Sequence, residues 1–276
     1  MKASSLSQAP RYVLLLLLAV VFLVPFYLIV RNALMTDDQI TSLHWAWLPA
    51  APQWDNFRKL FADPTAPMLT GLGNSAIIAV VTLVLQMLFS SMAGYALARI
   101  PARGRGVVFS LILATLMIPS AVTFVPTFAV TAYLGGVNTR WGIIAPGLFS
   151  AFSIFLFRQF YLRFPTEIEE AGRLDGLGYF GVYWRLLLPN STSILMALGV
   201  LTFIGSWNSF LWPLVIGQDP SAWTVQVVLS TFLTAQTQNL AQLFAAAAVG
   251  VLPLVLVFLV MQRYIVEGAK FSGGKE

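Results

Sequence analysis

The charged side chains that could take part in chemistry are concentrated in one short segment, at Glu167, Glu169, Glu170, Arg173 and Asp175. Charge is scarce elsewhere, because only 10% of the chain is charged, against about 25% in ordinary soluble domains. Carboxylates can make charge-assisted hydrogen bonds to a partner, and small residues beside them let a second surface approach the backbone closely. The segment therefore suits docking onto another protein. A simpler interpretation stays open, in which the acids only stabilise their own helix.

The same segment carries the start and stop signals of a short helix over about 167–175. Thr166 follows a proline, and Glu169 lies three residues further on, which is the spacing of a capping box. Acidic residues in a first turn suit the positive end of the helix dipole, while Gly176 and Gly178 favour an end to the helix. The predicted helix would place three small or apolar residues on one face, namely Ile168, Ala171 and Gly172.

Most classes of enzyme chemistry are excluded by residue types that the chain lacks. It contains no cysteine, which excludes disulfides, thiol catalysis and thiolate metal sites. His44 is its only histidine, and we expect it at the surface. There is no Walker A glycine loop, so the chain does not bind ATP in that way. If the protein moves a solute uphill, the energy must enter from a partner, and the charged segment is the natural entry point.

The rest of the sequence indicates an integral membrane protein that forms a single domain over residues 1–276. Hydrophobic residues make up 58% of the chain, and its mean hydropathy is +0.80. This composition excludes a soluble enzyme, a nucleic-acid-binding domain and a disordered chain. Several windows without charged residues exceed the roughly 20 apolar residues that a spanning helix needs. They predict an all-α fold with six transmembrane helices at about 12–31, 74–98, 107–131, 141–158, 191–213 and 242–262.

The distribution of basic residues predicts which loops face the cytoplasm. With six spans, 12 of the 16 lysines and arginines fall on the side that holds both termini. Both termini and residues 158–190 are therefore predicted to be cytoplasmic, and residues 32–73 external. We expect the first helix to be an uncleaved anchor, because no clear small-x-small cleavage site follows it. Three tryptophans of the external loop suit an interfacial aromatic belt, namely Trp45, Trp47 and Trp54.

The predicted spans contain few groups that could bind an ion or a solute. None has an ionisable side chain in its interior, which argues against a proton-driven carrier, although sodium coupling through backbone carbonyls stays open. Gln86, Trp207 and Asn208 are polar or amphipathic groups at membrane depth. They could stack on a sugar and hydrogen-bond it, or they could bond neighbouring helices. Pro119 and Pro126 predict kinks in the third span.

A longer spacing pattern begins in the charged segment and falls on Glu170, Ala171, Gly172, Gly176, Leu186, Leu188 and Pro189. This pattern resembles the EAA loop of the inner-membrane permease subunits of binding-protein-dependent ABC importers, and all of its spacings match. Gly172 stands for the second alanine of that loop, and Leu186 for its usual isoleucine. The similarity to the carbohydrate-uptake branch, and within it to maltose importer G-type permeases, extends through residues 74–75, 94–99, 117–119, 125–126, 158–160, 175–176, 207–208, 210–213 and 262–268.

This resemblance implies a type I ABC importer permease, in which residues 158–190 form the coupling loop and its helix docks onto an ATPase subunit. The residues that it implies for ATPase coupling are Glu169, Glu170, Ala171, Gly172, Asp175, Gly176 and Pro189. The candidate translocation path in this chain is formed by Gln86, Trp207, Asn208, Ser209 and Trp212. Ser209 follows Asn208 where that branch often has an acidic residue or asparagine.

The resemblance also implies the partners of the chain. They are a second homologous permease subunit in a heterodimer, two ATP-binding subunits, an extracytoplasmic solute-binding protein and the lipid bilayer, in a bacterial or archaeal plasma membrane. ATP and Mg would be bound by the ATPase subunits, so we expect no enzyme activity, cofactor or metal in this chain, and no nucleic-acid partner. The tryptophans of the external loop could alternatively contact the solute-binding protein.

Two other functions stay open beside carbohydrate import. The same architecture could import a glycerophosphodiester or a sugar phosphate, which a cationic path would favour, yet no predicted span has a lysine or arginine in its interior. The other is a membrane assembly protein without a transport role, against which the EAA pattern argues.

Overall fold

The computed structural model describes the backbone of residues 9–233 and 239–273, and the side chains of residues 10–233 and 239–260. The described residues are helical with no β-strand, which confirms the predicted all-α class. In chain order the helices are α1 Ala9–Ala33, α2 Asp37–Thr41, α3 Asp55–Ala62, α4 Met68–Arg99, α5 Arg105–Thr115, α6 Ser120–Tyr133, α7 Arg140–Ile144, α8 Ala151–Leu162, α9 Thr166–Leu174, α10 Tyr179–Val182, α11 Leu188–Asn190, α12 Thr192–Trp207, α13 Leu211–Ile216, α14 Val225–Thr231 and α15 Leu240–Gly273.

Three of these helices are long and apolar enough to cross a membrane on their own, namely α1, α4 and α15. They coincide with the first, second and sixth predicted spans. α4 begins at Met68, ahead of the predicted start at residue 74, because residues 68–73 carry neither a charge nor a proline that would stop the helix. α15 continues to Gly273, beyond the predicted end at residue 262.

Three further candidate spans each consist of two helices with a sharp bend between them, and the first helix of the third pair lies ahead of the predicted fifth span, 191–213. The bend is 99° between α5 and α6, 46° between Arg140–Gly147 and α8, and 76° between Tyr179–Asn190 and α12. The predicted helices over 107–131 and 141–158 are therefore interrupted, and the number of spans is six if each bent pair counts as one. The fifth predicted span, 191–213, also ends early, because α12 stops at Trp207 and α13 is separate.

A proline lies at or just before two of these bends. Pro119 has an extended backbone, with φ −59° and ψ 132°, and a proline also disfavours helical angles in the residue before it. Before Pro189 the chain forms one turn of π-helix over Tyr183–Leu187, in which the Leu188 amide donates to the Tyr183 carbonyl. This wider turn gives room for the proline ring, which would clash with the carbonyl four residues earlier in a regular α-helix.

Contacts divide the chain into two compact units, where the sequence predicts one domain. The first unit contains the chain up to residue 69 together with 228–252. In it, the buried Asn56 side chain donates hydrogen bonds to the Ala33 and Met35 carbonyls, each 2.9 Å long. Asp37 Oδ1 accepts a 2.7 Å bond from the Ala241 amide, at the N-terminal end of α15, where negative charge is favourable.

The second unit contains residues 70–227 and the chain from Pro253 onward. Its buried core is rich in aromatic and aliphatic side chains, namely Met87, Tyr95, Ala98, Phe157, Tyr161, Val182, Tyr183, Leu187 and Leu198. α4 and α8 approach closely at Gly94. A Cβ atom at this position would lie 2.6 Å from Phe157 Cβ and 2.9 Å from the Arg158 backbone nitrogen. The absence of a side chain at Gly94 therefore permits this helix crossing.

Replacing Gly94 by alanine should lower the free energy of unfolding by about 1–3 kcal/mol, because the added methyl group would overlap α8. Gly73→Ala is the matched control in the same helix. A Cβ atom at Gly73 would meet nothing within 4 Å, so alanine there should be neutral or stabilising by up to about 1 kcal/mol. Thermal unfolding in detergent measures both variants. A Gly94→Ala variant that is as stable as the unchanged protein would contradict the close crossing of α4 and α8.

Candidate functional site

The short helix predicted over 167–175 is α9, but its first turn differs from the prediction. Pro165 occupies the N-cap position, and no side chain caps the first turn. The predicted capping box is therefore wrong. The Glu169 side chain, expected to bond back to the start of the helix, points to the interior instead, and the residue is only 4% exposed. A buried carboxylate is costly unless a cation or hydrogen-bond donors accompany it.

Arg99, the last residue of α4, supplies that cation. Its Nε atom lies 3.0 Å from Glu169 Oε1, and the two side chains are 13% and 6% exposed. Arg173, one turn further along α9, makes a longer contact of 3.8 Å between its Nη2 atom and Glu169 Oε2, and its side chain is half-exposed. The buried ion pair between Arg99 and Glu169 thus attaches α9 to the end of α4.

The same guanidinium also binds the end of α8. Arg99 Nε donates a 2.8 Å hydrogen bond to the Tyr161 carbonyl, and Nη2 donates to the Phe164 carbonyl. Carbonyls at the end of a helix lack intrahelical partners and carry partial negative charge. Arg99 therefore joins α4, α8 and α9 at one point. In the sequence, Arg99 indicates topology as one of the basic residues and ends the stretch 94–99, but nothing local to it indicates Glu169 as a partner.

The C-terminal end of α9 follows the sequence prediction. Gly176 has a φ of +82°, a left-handed conformation that favours glycine. The Gly176 amide donates to the Arg173 carbonyl at 3.0 Å, and the Leu177 amide donates to the Gly172 carbonyl at 2.9 Å. These two bonds form a Schellman motif, which ends the helix directly after Asp175.

α9 has a buried side and an exposed side. Gly172 is buried, and a Cβ atom on it would lie 2.5 Å from Leu186 Cδ1, so the glycine permits close packing inside the protein. The predicted face of Ile168, Ala171 and Gly172 is therefore only partly accessible, since Ile168 and Ala171 are exposed and Gly172 is buried. We define the exposed face of α9 as Glu170, Ala171 and Leu174 together with Asp175 and Gly176, which directly follow the helix; all five are exposed.

Tyrosine hydroxyl groups fasten the chain that follows α9 to α4. Tyr95 Oη donates a 3.2 Å bond to the Tyr179 carbonyl, and Tyr183 Oη lies 2.7 Å from Ser91 Oγ. Pro189, one of the predicted coupling residues, lies in α11 and is separated from α9 by α10 and the π-helical turn. Its position is at the 76° bend into α12. Its role in the structure is therefore to set the direction of the chain.

A cavity of about 500 Å³ lies in the second unit, between α4, α8 and α12. The Gln86 amide is partly enclosed there and donates to Ser153 Oγ and Thr202 Oγ1, each at 3.2 Å. Hydroxyl groups form much of the polar lining, which includes Thr82, Ser150, Ser153, Thr202, Ser206 and Ser209. No charged residue lines this cavity. A pocket of amide and hydroxyl groups can hydrogen-bond an uncharged polar solute.

The structure places three of the five predicted path residues in this lining, namely Gln86, Ser209 and Trp212. The other two lie outside it. Trp207 is only 2% exposed and stacks on Phe203 with 5.7 Å between ring centres. Asn208 Oδ1 accepts a 3.3 Å bond from Gln226. The other serines and threonines of the lining are not among the predicted path residues, although small hydroxyl residues inside apolar helices could indicate them.

Metal ligands are not grouped in the part of the chain that the structure describes. Among those residues, no set of three or more His, Asp or Glu side chains is placed to hold a metal ion. The site thus has two parts, a charged face on α9 and an uncharged polar cavity, which both depend on α4 and α8.

Comparison with known proteins identifies relatives among transport proteins. The chain is 37% identical over 227 residues to the arabinooligosaccharides transport system permease protein AraQ of Halalkalibacterium halodurans, covering 82% of this chain and 81% of the relative. It is 33% identical to the lactose transport system permease protein LacG of Rhizobium radiobacter, covering 94% and 93%. It is 34% identical to the sn-glycerol-3-phosphate transport system permease protein UgpE of Yersinia enterocolitica, covering 93% and 94%.

A solved structure has the same fold. The chain matches the crystal structure of a bacterial ABC transporter involved in the import of the acidic polysaccharide alginate, with a TM-score of 0.81 and 22% identity, over 96% of this chain and 99% of that one. The family of inner membrane components of binding-protein-dependent transport systems matches residues 86–270, which include α9, the bend at Pro189 and all of the cavity lining except Thr82. The chain belongs to this family.

Proposed function

We propose that this chain is one of two homologous permease subunits of an ABC importer for an uncharged carbohydrate, and that α9 is its coupling helix. The observation that carries the proposal is the exposed face of α9, which rests on a buried ion pair at the ends of α4 and α8. Ala171 and Gly176 have little or no side chain, so a partner surface can approach the backbone of this face closely. Glu170 and Asp175 offer carboxylates to a cationic partner. An ATPase subunit would dock here.

The arrangement of α4 and α8 supports a mechanism for energy coupling. α4 carries Arg99 at its end and Gln86 in the cavity, and α8 carries Tyr161 near its end and Ser153 in the cavity. A displacement of α9 would therefore move both helices and change the shape of the cavity. ATP and Mg would be bound by two partner ATPase subunits, and their closure would drive the displacement. This chain would contribute the mechanical link and part of the path.

The lining of the cavity supports a neutral sugar as the solute. Its amide and hydroxyl groups can exchange hydrogen bonds with sugar hydroxyls, and Trp212 offers an aromatic surface. Two relatives are named for arabinooligosaccharides and lactose, which is consistent with this solute class. An extracytoplasmic binding protein would deliver the sugar, and the second permease subunit would complete the path. We place both termini on the cytoplasmic side of the plasma membrane, with α9.

A second candidate solute is a glycerophosphodiester or a sugar phosphate, because one relative is named for sn-glycerol-3-phosphate. A phosphate group usually requires arginine, lysine or several amide donors, and no cationic side chain lines the cavity. The neutral sugar is therefore the better fit. Membership of a family of transport components leaves no support for an assembly protein without transport.

Replacing Ala171 by leucine should lower ATP hydrolysis of the reconstituted importer, because the larger side chain would hold α9 away from the ATPase. We expect a roughly tenfold loss, which corresponds to about 1.4 kcal/mol of docking free energy. Ala102→Leu is the matched control, since Ala102 is an exposed alanine outside α9. Co-purification of the ATPase subunits is measured in parallel. Unchanged hydrolysis and co-purification in the Ala171→Leu variant would exclude docking at this face.

Removing the charge of Arg99 should detach α9, because Glu169 would remain buried without its cation. We expect Arg99→Met to cost about 3–5 kcal/mol of unfolding free energy. Adding Glu169→Gln should recover part of this loss, because the variant carboxamide is neutral. Thermal unfolding of both single variants and the double variant completes a double-mutant cycle. Strictly additive losses would mean that the two side chains do not interact.

Replacing Gln86 by leucine should reduce solute uptake roughly tenfold, because the loss of the amide leaves two hydroxyl groups without a donor. Leaving such a buried group unsatisfied costs about 1–3 kcal/mol. Asn208→Leu is the matched control at a polar residue outside the cavity, and we expect a smaller effect. Uptake of lactose, an arabinooligosaccharide and sn-glycerol-3-phosphate into proteoliposomes measures both the effect and the solute class. Uptake of only the phosphate compound would overturn the carbohydrate proposal.

A further inference from the structure

An apolar patch is exposed on the segment that follows α1. We define this loop patch as Leu43, Trp45, Trp47 and Leu48, which are 101%, 57%, 72% and 74% exposed. Between residues 39 and 53 the sequence has no Asp, Glu, Lys or Arg, and its one histidine there is His44. Side chains of this size and polarity are rarely left in water as a contiguous surface.

Three contacts hold the loop patch against the end of α1. Tyr27 Oη donates a hydrogen bond to the Trp47 carbonyl, and Arg31 Nε donates a 2.6 Å bond to the Ala46 carbonyl. The Arg31 guanidinium also lies over the Trp45 ring, 4.2 Å from its centre. Trp47 packs edge-on against Trp45, with 5.6 Å between ring centres. The patch is thus fixed to the helix and does not hang free.

These contacts determine the depth of the patch along α1. Tyr27 precedes the last residue of α1, Ala33, by six positions, which at a rise of 1.5 Å per residue is about 9 Å along the helix axis. The loop therefore folds back beside the last two turns of α1. Residues 10–26 of the same helix are exposed and almost wholly apolar, so this surface suits hydrocarbon. The loop patch lies next to this apolar surface, at the C-terminal end of α1. At that end a spanning helix would leave the hydrocarbon region of the bilayer.

We propose that the loop patch inserts into the lipid headgroup region at this end of α1 and fixes the depth of the helix in the bilayer. Indole rings, with an apolar body and one N–H donor, favour this region. Arg31 is only 6% exposed, and its guanidinium holds the Ala46 carbonyl and the Trp45 ring in place against α1. The patch continues the exposed apolar surface of residues 10–26, and this continuity favours lipid over a soluble binding protein as its occupant. The inference is independent of the solute and of α9, so it can fail while the proposed function stands.

Because the chain has no cysteine, single spin labels can test this inference directly. Leu48→Cys keeps both tryptophans and places a label in the patch. Phe22→Cys on the exposed surface of α1 is the lipid control, and Asp38→Cys on α2 is the water control. The full chain, assembled with cysteine-free partner subunits in phosphatidylcholine vesicles, is exposed to oxygen, which partitions into lipid, and to a water-soluble nickel complex. Power-saturation measurements give the ratio of the two collision rates at each label.

We expect the ratio at position 48 to be several-fold higher than at position 38 and to approach that at position 22. Adding the binding protein should leave it unchanged. A ratio at position 48 equal to that at position 38 would overturn the inference. So would a loss of nickel collisions at position 48 only after the binding protein is added, since the patch would then be its docking surface. A Trp47→Cys label gives a second reading at a different position in the same patch, with the same expected order.

Discussion

The guanidinium of Arg99 is the interaction on which the cytoplasmic end of the structure depends. Three groups need it at once, namely the buried Glu169 carboxylate and the Tyr161 and Phe164 carbonyls. Each of these groups would be costly to bury without a donor or a cation. Apolar contacts between helices supply little directional preference in a lipid environment. The planar guanidinium group of Arg99 has donors in fixed directions. It can therefore determine the relative positions of α4, α8 and α9 in a way that apolar side-chain packing cannot.

This arrangement links a site at the end of the helices to a cavity within them. Arg99 and Gln86 lie on one helix, about 20 Å apart at 1.5 Å per residue. A continuous α-helix such as α4 transmits a displacement over this distance with little loss, because its hydrogen bonds resist bending. The close crossing of α4 and α8 at Gly94, between the two sites, keeps the pair together. The same helices can thus hold the docking face and form the walls of the path.

Breaks in the other spans have a different origin. Proline determines where they occur, since Pro119 and Pro189 remove amide donors and restrict the residues before them. The break at Pro189 turns the chain after the docking helix, and the break between Gly147 and α8 lies beside the cavity. Within the cavity, the Gln86 amide is bonded by two hydroxyl groups. A hydroxyl-rich cavity without charge follows from a sequence whose predicted spans hold no charge in their interior.

The sequence by itself determined the properties that depend on local composition. Hydropathy gave the all-α membrane class and the apolar segments, Gly176 predicted the end of α9, and the EAA spacing indicated the family. It also identified Gln86, Ser209 and Trp212, since polar groups inside apolar segments are conspicuous. Only the tertiary structure decided that Glu169 turns inward, that Gly172 packs inside the protein, and that Trp207 lies outside the cavity. These outcomes depend on partners such as Arg99, Leu186 and Phe203, and for Arg99 and Glu169 the partners are far apart in sequence. Folding alone brings such groups together, because the free energy of a buried charge is fixed by its neighbours in space and not by its neighbours in the chain.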